Sequence, residues 1–271
     1  MGRARMTVAY RGDAYRGFAD NEGVPTVAGA ISAAIRQVLS EDVPLVAAGR
    51  TDAGVHAIGQ VVSMDLPDRV DPSVLARQIN ALCGPAIVVR DARWTAADFH
   101  ARFSALWRSY RYVVLNTPVP DPFRSDTSWH VARPLNVRAM RLAVDAVIGE
   151  HDFSAFCRRP KEEVGREPSM KRRVFEADWD RDDDGLVVFG IRANAFCHQM
   201  VRAMVGTFVE IGLGKRPPSD VRGLLVSGNR ANAAPVAPPH GLVLVEVGYP
   251  HDHTVRSVDP GIVMGGSSPL S

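Results

Sequence analysis

At 271 residues, the chain is 46% hydrophobic and 23% charged, a balance that excludes a disordered polymer and supports a sizeable core. No apolar run reaches the ~18–20 residues that span a bilayer, and "MGRARMTVAYRG" at the start lacks a signal-peptide core, so the expected location is cytoplasmic. The net charge of +2 does not announce a polyanionic partner, although the basic residues are nearly all arginines, with lysine only at Lys161, Lys171 and Lys215.

Hydrophobic periodicity gives the elements in order. A strand is predicted over 5–11. "PTVAGAISAAIRQVLS" then places Val27, Ile31, Ile35 and Val38 at helical spacing, with Thr26 as N-cap. "VPLVAA" reads as a short buried strand and "QVVSMDL" as a half-buried one. A second helix is capped by Asp71, has Pro72 at its first position and runs to Leu82, ahead of a strand near "AIVVRDARW". A similar series follows. "WRSYRYVVLN" alternates as a strand, and "NVRAMRLAVDAVIG" is an amphipathic helix capped by Asn136 and stopped by Gly149. "KRRVFEADWDRDDDGLVVFGIRANAF" is a hairpin turning at "DDDG". "HQMVRAMVGTFVEIG" and "SDVRGLLVSG" are helices, and "GLVLVEVGY" is a last strand. The expected organisation is two α+β halves, 1–104 and 105–250, followed by a flexible tail at 251–271.

Several chemistries are missing from the pattern. There is no P-loop and no strand–GxGxxG–helix unit, so no nucleotide cofactor is expected. Cys197–His198 with distant Cys157 lacks zinc-ligand spacing, so no metal is expected, and a thiol or zinc hydrolase is an improbable class. Cys83, Cys157 and Cys197 are read as reduced thiols. Between Arg158 and Arg173 lie seven basic residues against three glutamates. Arginine forks phosphates and stacks on bases, so this stretch fits RNA binding as well as it fits a solvated loop. In "AAGRTDAGVHAIGQVVSMD", Gly49 and Gly54 bracket Arg50, Thr51 and Asp52 between two strands. Taken alone, that turn favours a capping role for Thr51 or Asp52 over a catalytic one.

Four ordered segments reverse that preference. "AGRTDAGVHAIGQV" (48–61), "DFHARFSALWRSYRY" (98–112), "GEHDFSAF" (149–156) and "ANAFCHQMVRAMVG" (193–206) together resemble the TruA-type tRNA pseudouridine synthases. The resemblance implies an α+β fold of two similar halves, with antiparallel sheets side by side, helices on one face and a cleft between the halves. It implies isomerisation of uridine to pseudouridine at U38, U39 and U40 of the tRNA anticodon stem-loop, without cofactor or metal, by a homodimer. Asp52 matches the family's catalytic aspartate, and Tyr110 its substrate-contacting tyrosine. Arg202 matches an active-site arginine, and Arg50 the residue that helps displace the target base. The alternative is a non-catalytic RNA-binding or RNA-folding protein of the same fold. The likeness lapses near the N-terminus: where the family pattern resembles Tyr-Asp-Gly and Gly-Trp-Gln, this chain has Tyr10-Arg11-Gly12 and Gly17-Phe18-Ala19.

Overall fold

Side-chain caps fix the starts of the first three helices in the computed structural model, which describes residues 1–159 and 169–250. Thr26 Oγ1 accepts from the Gly29 N–H at 3.1 Å and opens α1 (Val27–Leu39). Asp71 Oδ1 accepts from the Ser73 N–H at 2.7 Å and opens α2 (Pro72–Cys83). Asn136 Oδ1 accepts from the Ala139 N–H at 3.0 Å and opens α3 (Val137–Val144). Each cap satisfies an amide that has no partner within the helix. α3 is shorter than the periodicity predicts, because the chain tightens into a 3₁₀ turn over Asp145–Val147 and Gly149 then begins a strand. α4 (Met200–Gly212) and α5 (Asp220–Ser227) complete the helices.

The strands are β1 (Gly2–Tyr10), β2 (Val46–Ala47), β3 (His56–Leu66), β4 (Ile87–Trp94), β5 (Trp107–Leu115), β6 (Trp129–His130), β7 (Gly149–Asp152), β8 (Lys171–Arg181), β9 (Leu186–Ala193) and β10 (Leu242–Gly248). They form one continuous sheet in the order β4-β1-β3-β10-β5-β9-β8-β7, with β2 on β3 and β6 on β5. The two antiparallel sets are therefore not merely side by side. β10 joins them, antiparallel to β5 and parallel to β3 through Val243↔His56 and Leu244↔Ala57. "VPLVAA" contributes only two strand residues, since Pro44 has no N–H to offer a ladder. The β8–β9 hairpin turns at Asp182–Gly185, where Asp182 Oδ1 accepts from the Leu186 N–H at 2.7 Å.

Two apolar cores lie along this sheet. One gathers Met6, Ile31, Ile35, Met64, Leu66 and Leu75; the other gathers Phe153, Phe156, Trp179, Phe189 and Phe208. Burying each such side chain is worth about 1.5–3 kcal/mol. In the second core Trp179 and Phe189 add an aromatic contact with centroids 5.0 Å apart. Tyr110, partly buried on β5, packs against both cores.

One expectation about the cysteines is corrected. Cys157 and Cys197 form a disulfide with Cα atoms 5.7 Å apart, leaving Cys83 free. A 3₁₀ turn over Ser154–Phe156 brings Cys157 beside the segment ahead of α4, where the Arg158 N–H bonds the His198 carbonyl at 2.9 Å. This proximity is tertiary, so the spacing of the cysteines gives no sign of it. The expected tail at 251–271 and the middle of the basic stretch lie outside the described residues.

Candidate active site

The turn between β2 and β3 is held from several sides. Gln60 Nε2 donates to the Gly49 carbonyl at 2.8 Å, and the Tyr10 and Thr51 hydroxyls are 2.7 Å apart. The Phe18 N–H bonds the Thr51 carbonyl at 3.1 Å, and the Val55 N–H bonds that of Asp52 at 3.2 Å. Gly54 takes a φ of +79° at the tightest point, a conformation that an L side chain rarely adopts. Burial pushes the Tyr10 phenol up to about 12, partly offset by its hydrogen bonds to Thr51 and Gln60. A turn braced in this way presents its side chains in one geometry.

His56, the first residue of β3, adds a further brace. Its Nδ1 accepts from the Gly12 N–H at 3.0 Å, which leaves Nε2 to donate to the Asp126 carbonyl at 2.9 Å. Burial lowers its pKa, so the neutral ring is favoured.

Asp52 meets α4 and the segment ahead of it. Arg202 Nη1 donates to Asp52 Oδ2 at 2.8 Å, and His198 Nε2 lies 3.3 Å from Oδ1. α4 is buried along almost its whole length, and its two charged side chains are far apart: Arg202 in the first turn meets Asp52, while Glu210 in the last turn pairs with Arg216. Its guanidinium is aimed by a second bond from Nε to the Ala237 carbonyl at 2.8 Å, while the Ala237 N–H returns to the Arg202 carbonyl at 3.1 Å. Gly206 lets that segment approach: a Cβ there would stand 2.0 Å from the Pro235 carbonyl oxygen. The Asp52 and Arg202 side chains are 23% and 13% exposed and His198 is 46% exposed. The arginine side of the carboxylate is thus closed and the histidine side open.

Tyr110 lies on β5 next to β10, with its ring edge-on to Phe196 at a centroid distance of 4.9 Å. Its hydroxyl has no hydrogen-bond partner among the described residues. Burial raises its pKa, with nearby Tyr10 and Asp52 adding to the rise and Arg108 opposing it. Arg50 is exposed two residues before Asp52, and its side chain makes no ion pair or hydrogen bond among the described residues. The structure therefore brings Asp52, Arg202 and Tyr110 together, with Arg50 at their edge.

Sequence reasoning missed the partners that hold these groups. In the sequence His198 is only a weak zinc candidate and Tyr10 only part of the divergent N-terminal stretch, while Gln60 and His56 have no assigned role. The block "AGRTDAGVHAIGQV" carries His56 and Gln60, and "ANAFCHQMVR" carries His198 and Arg202 together, but neither gives its partners a role. The divergent N-terminal residues have local explanations. Arg11 pairs with Asp13 at 3.1 Å and Asp126 at 3.0 Å, and Phe18 is buried beside Tyr10 at a ring distance of 5.9 Å.

A family model described as tRNA pseudouridine synthase matches residues 6–104 and 143–250. The tRNA pseudouridine synthase A of Frankia casuarinae is 42% identical over 253 residues, covering 92% of this chain and 90% of its own. That of Methylacidiphilum infernorum is 37% identical over 248 residues, covering 92% and 96%. That of Brevibacillus brevis is 39% identical over 249 residues, covering 92% and 100%.

Proposed function

The chain belongs to the tRNA pseudouridine synthase family, whose members isomerise uridine in tRNA, and from that premise we propose that its own target is the anticodon stem-loop, at U38, U39 and U40. The choice of uridines rests on the family resemblance, and the observation that carries catalysis is the Asp52–Arg202 pair, formed across 150 residues of chain at a place open to solvent on its His198 side. A structural ion pair gains little from an open side, whereas a reacting carboxylate needs one.

The chemistry assigns the roles. Converting uridine to pseudouridine breaks the bond from N1 to C1′, turns the uracil and forms a bond from C5 to C1′. The ring then loses the C5 proton and gains one at N1. Asp52 is the catalytic residue, a carboxylate able to act at the sugar or the base. Arg202 compensates its charge and fixes its orientation. Tyr110 contacts the flipped uridine, offering its ring and an unpaired hydroxyl. Arg50, free at the rim, fills the stack that the extruded base leaves.

The protein works without cofactor or metal, in the cytoplasm, as a homodimer: a cleft that takes one stem-loop leaves little surface for the rest of a tRNA, and a two-fold partner supplies it. No helix among the described residues is long and apolar enough to cross a membrane. The reading is tested by incubating purified protein with unmodified tRNA transcript and a chelator, then mapping pseudouridine. Product at U38, U39 or U40 supports it; tRNA binding without product favours the non-catalytic alternative.

A further inference from the structure

Arg108 stands at the start of β5, two residues before Tyr110, and its guanidinium is spent entirely on backbone carbonyls. Nη1 donates to Asn194 at 2.9 Å and Ala105 at 3.3 Å, and Nη2 donates to Arg102 at 2.7 Å and Ala48 at 2.9 Å. It has no carboxylate partner among the described residues, and burial lowers its pKa. Holding a partly buried cation without an anion costs free energy. A fold that needed only to satisfy four carbonyls could use water or neutral amides, so the choice of a planar, forked cation points to a demand on geometry.

The location of the four carbonyls identifies that demand. Ala48 opens the turn that presents Arg50 and Asp52. Asn194 opens the segment that leads to His198 and Arg202. Arg102 and Ala105 belong to the connection between β4 and β5. Arg108 itself shares a strand with Tyr110. One rigid group thus touches every chain segment that carries a proposed active-site side chain, together with the link between them.

We propose that Arg108 is a positioning residue that sets the mutual placement of Asp52, Tyr110 and Arg202, an inference that rests on the catalytic reading above. It contacts no substrate. Its loss spreads the three segments, and a displacement of about 1 Å at a reacting group costs about 100-fold in rate. Affinity for tRNA, which is set mainly by phosphate contacts elsewhere, stays nearly unchanged.

The test uses the full chain and unmodified tRNA transcript. R108A and R108K are compared with wild type in single-turnover rate at saturating protein, tRNA Kd by filter binding, and thermal melting. The expected result for R108A is a rate loss of about 100-fold with Kd within about 3-fold. Millimolar guanidinium restores part of that rate in R108A and none in D52N. R108K keeps the charge but cannot reach four carbonyls at once, and it loses about 10-fold with Kd unchanged. If R108A does not fold, R108K alone decides. A folded R108K at wild-type rate overturns the proposal, as does a defect confined to Kd, which would make Arg108 an RNA contact. A folded R108A whose rate guanidinium cannot restore also overturns it. Failure of the catalytic reading would look different, because wild-type protein would then make no pseudouridine.

Discussion

Arg202 Nη1 sits 2.8 Å from Asp52 Oδ2, and the same guanidinium reaches the Ala237 carbonyl through Nε at 2.8 Å. One planar group therefore sets both the charge environment and the direction of the carboxylate. A lysine ammonium can hold the carboxylate or the carbonyl but not both in this geometry. Arg202→Lys is expected to lose about 10- to 100-fold in single-turnover rate with tRNA affinity little changed. Arg202→Met, which leaves a half-buried carboxylate uncompensated, loses more and also melts earlier. Rate and melting measurements on both variants check the ordering; a Lys variant at the wild-type rate would mean that the fork is irrelevant, and equal losses in the two would mean that the charge alone contributes nothing.

For Tyr110 the two available explanations predict opposite results. Burial keeps the phenol protonated at neutral pH, and its hydroxyl has no protein partner among the described residues, so it enters the site as a free hydrogen-bond donor. Tyr110→Phe is expected to lose about 100-fold or more in turnover while still binding tRNA. Tyr110→Ala also forfeits the stacking face, worth about 1–3 kcal/mol, along with packing against both cores. A purely structural tyrosine predicts a Phe variant with normal turnover and an Ala variant defective only in melting.

Local signals made much of the fold legible. Thr26, Asp71 and Asn136 were readable as caps because each acts within three residues of its own position. The Asp182–Gly185 turn was readable because it joins adjacent strands. What escaped notice was set by distant contacts. β10 pairs in parallel with β3 through two residues whose sequence carries no sign of that neighbour. The Cys157–Cys197 disulfide and the His198–Asp52 contact both depend on how the segment before α4 is folded back. In the candidate site, Asp52, Arg202, Tyr110 and Arg50 are proposed from motif blocks. Their braces are not, since a hydroxyl or amide that steadies a turn from another strand has no characteristic spacing.

Arg50 is exposed and its side chain has no partner among the described residues, which leaves it available to the substrate in the proposed reaction. If it occupies the stack of an extruded base, Arg50→Lys should impair U39 and U40, which sit in the stem, more than U38 in the loop. Rates measured on transcripts carrying a single target uridine check this. Equal losses at all three would make Arg50 a phosphate contact instead.

Tyr10 ties the turn's stability to alkaline pH. Its phenol titrates near 10 when unfolded and about 12 when buried beside Thr51. Below the lower value both states are protonated and the full contribution is present. Between the two, the unfolded chain loses its proton first, so stability falls as pH rises and the contribution is gone above the folded pKa. A shift of this size corresponds to about 2–3 kcal/mol. Burial also raises the pKa of Tyr110 and Tyr112, so Tyr10→Phe should shallow the alkaline slope without removing it. Urea midpoints at about pH 9 and about pH 11 read that slope directly.

The central claim, that Asp52 is the group without which the chemistry does not proceed, is tested most directly by Asp52→Asn. The substitution keeps size and shape but removes the negative charge. The measurement is single-turnover pseudouridine formation on a tRNA transcript, with tRNA Kd taken in parallel. The account predicts a rate lower by at least about 10,000-fold with Kd essentially unchanged, because phosphate contacts dominate affinity. Turnover in Asp52→Asn near the wild-type rate would contradict it.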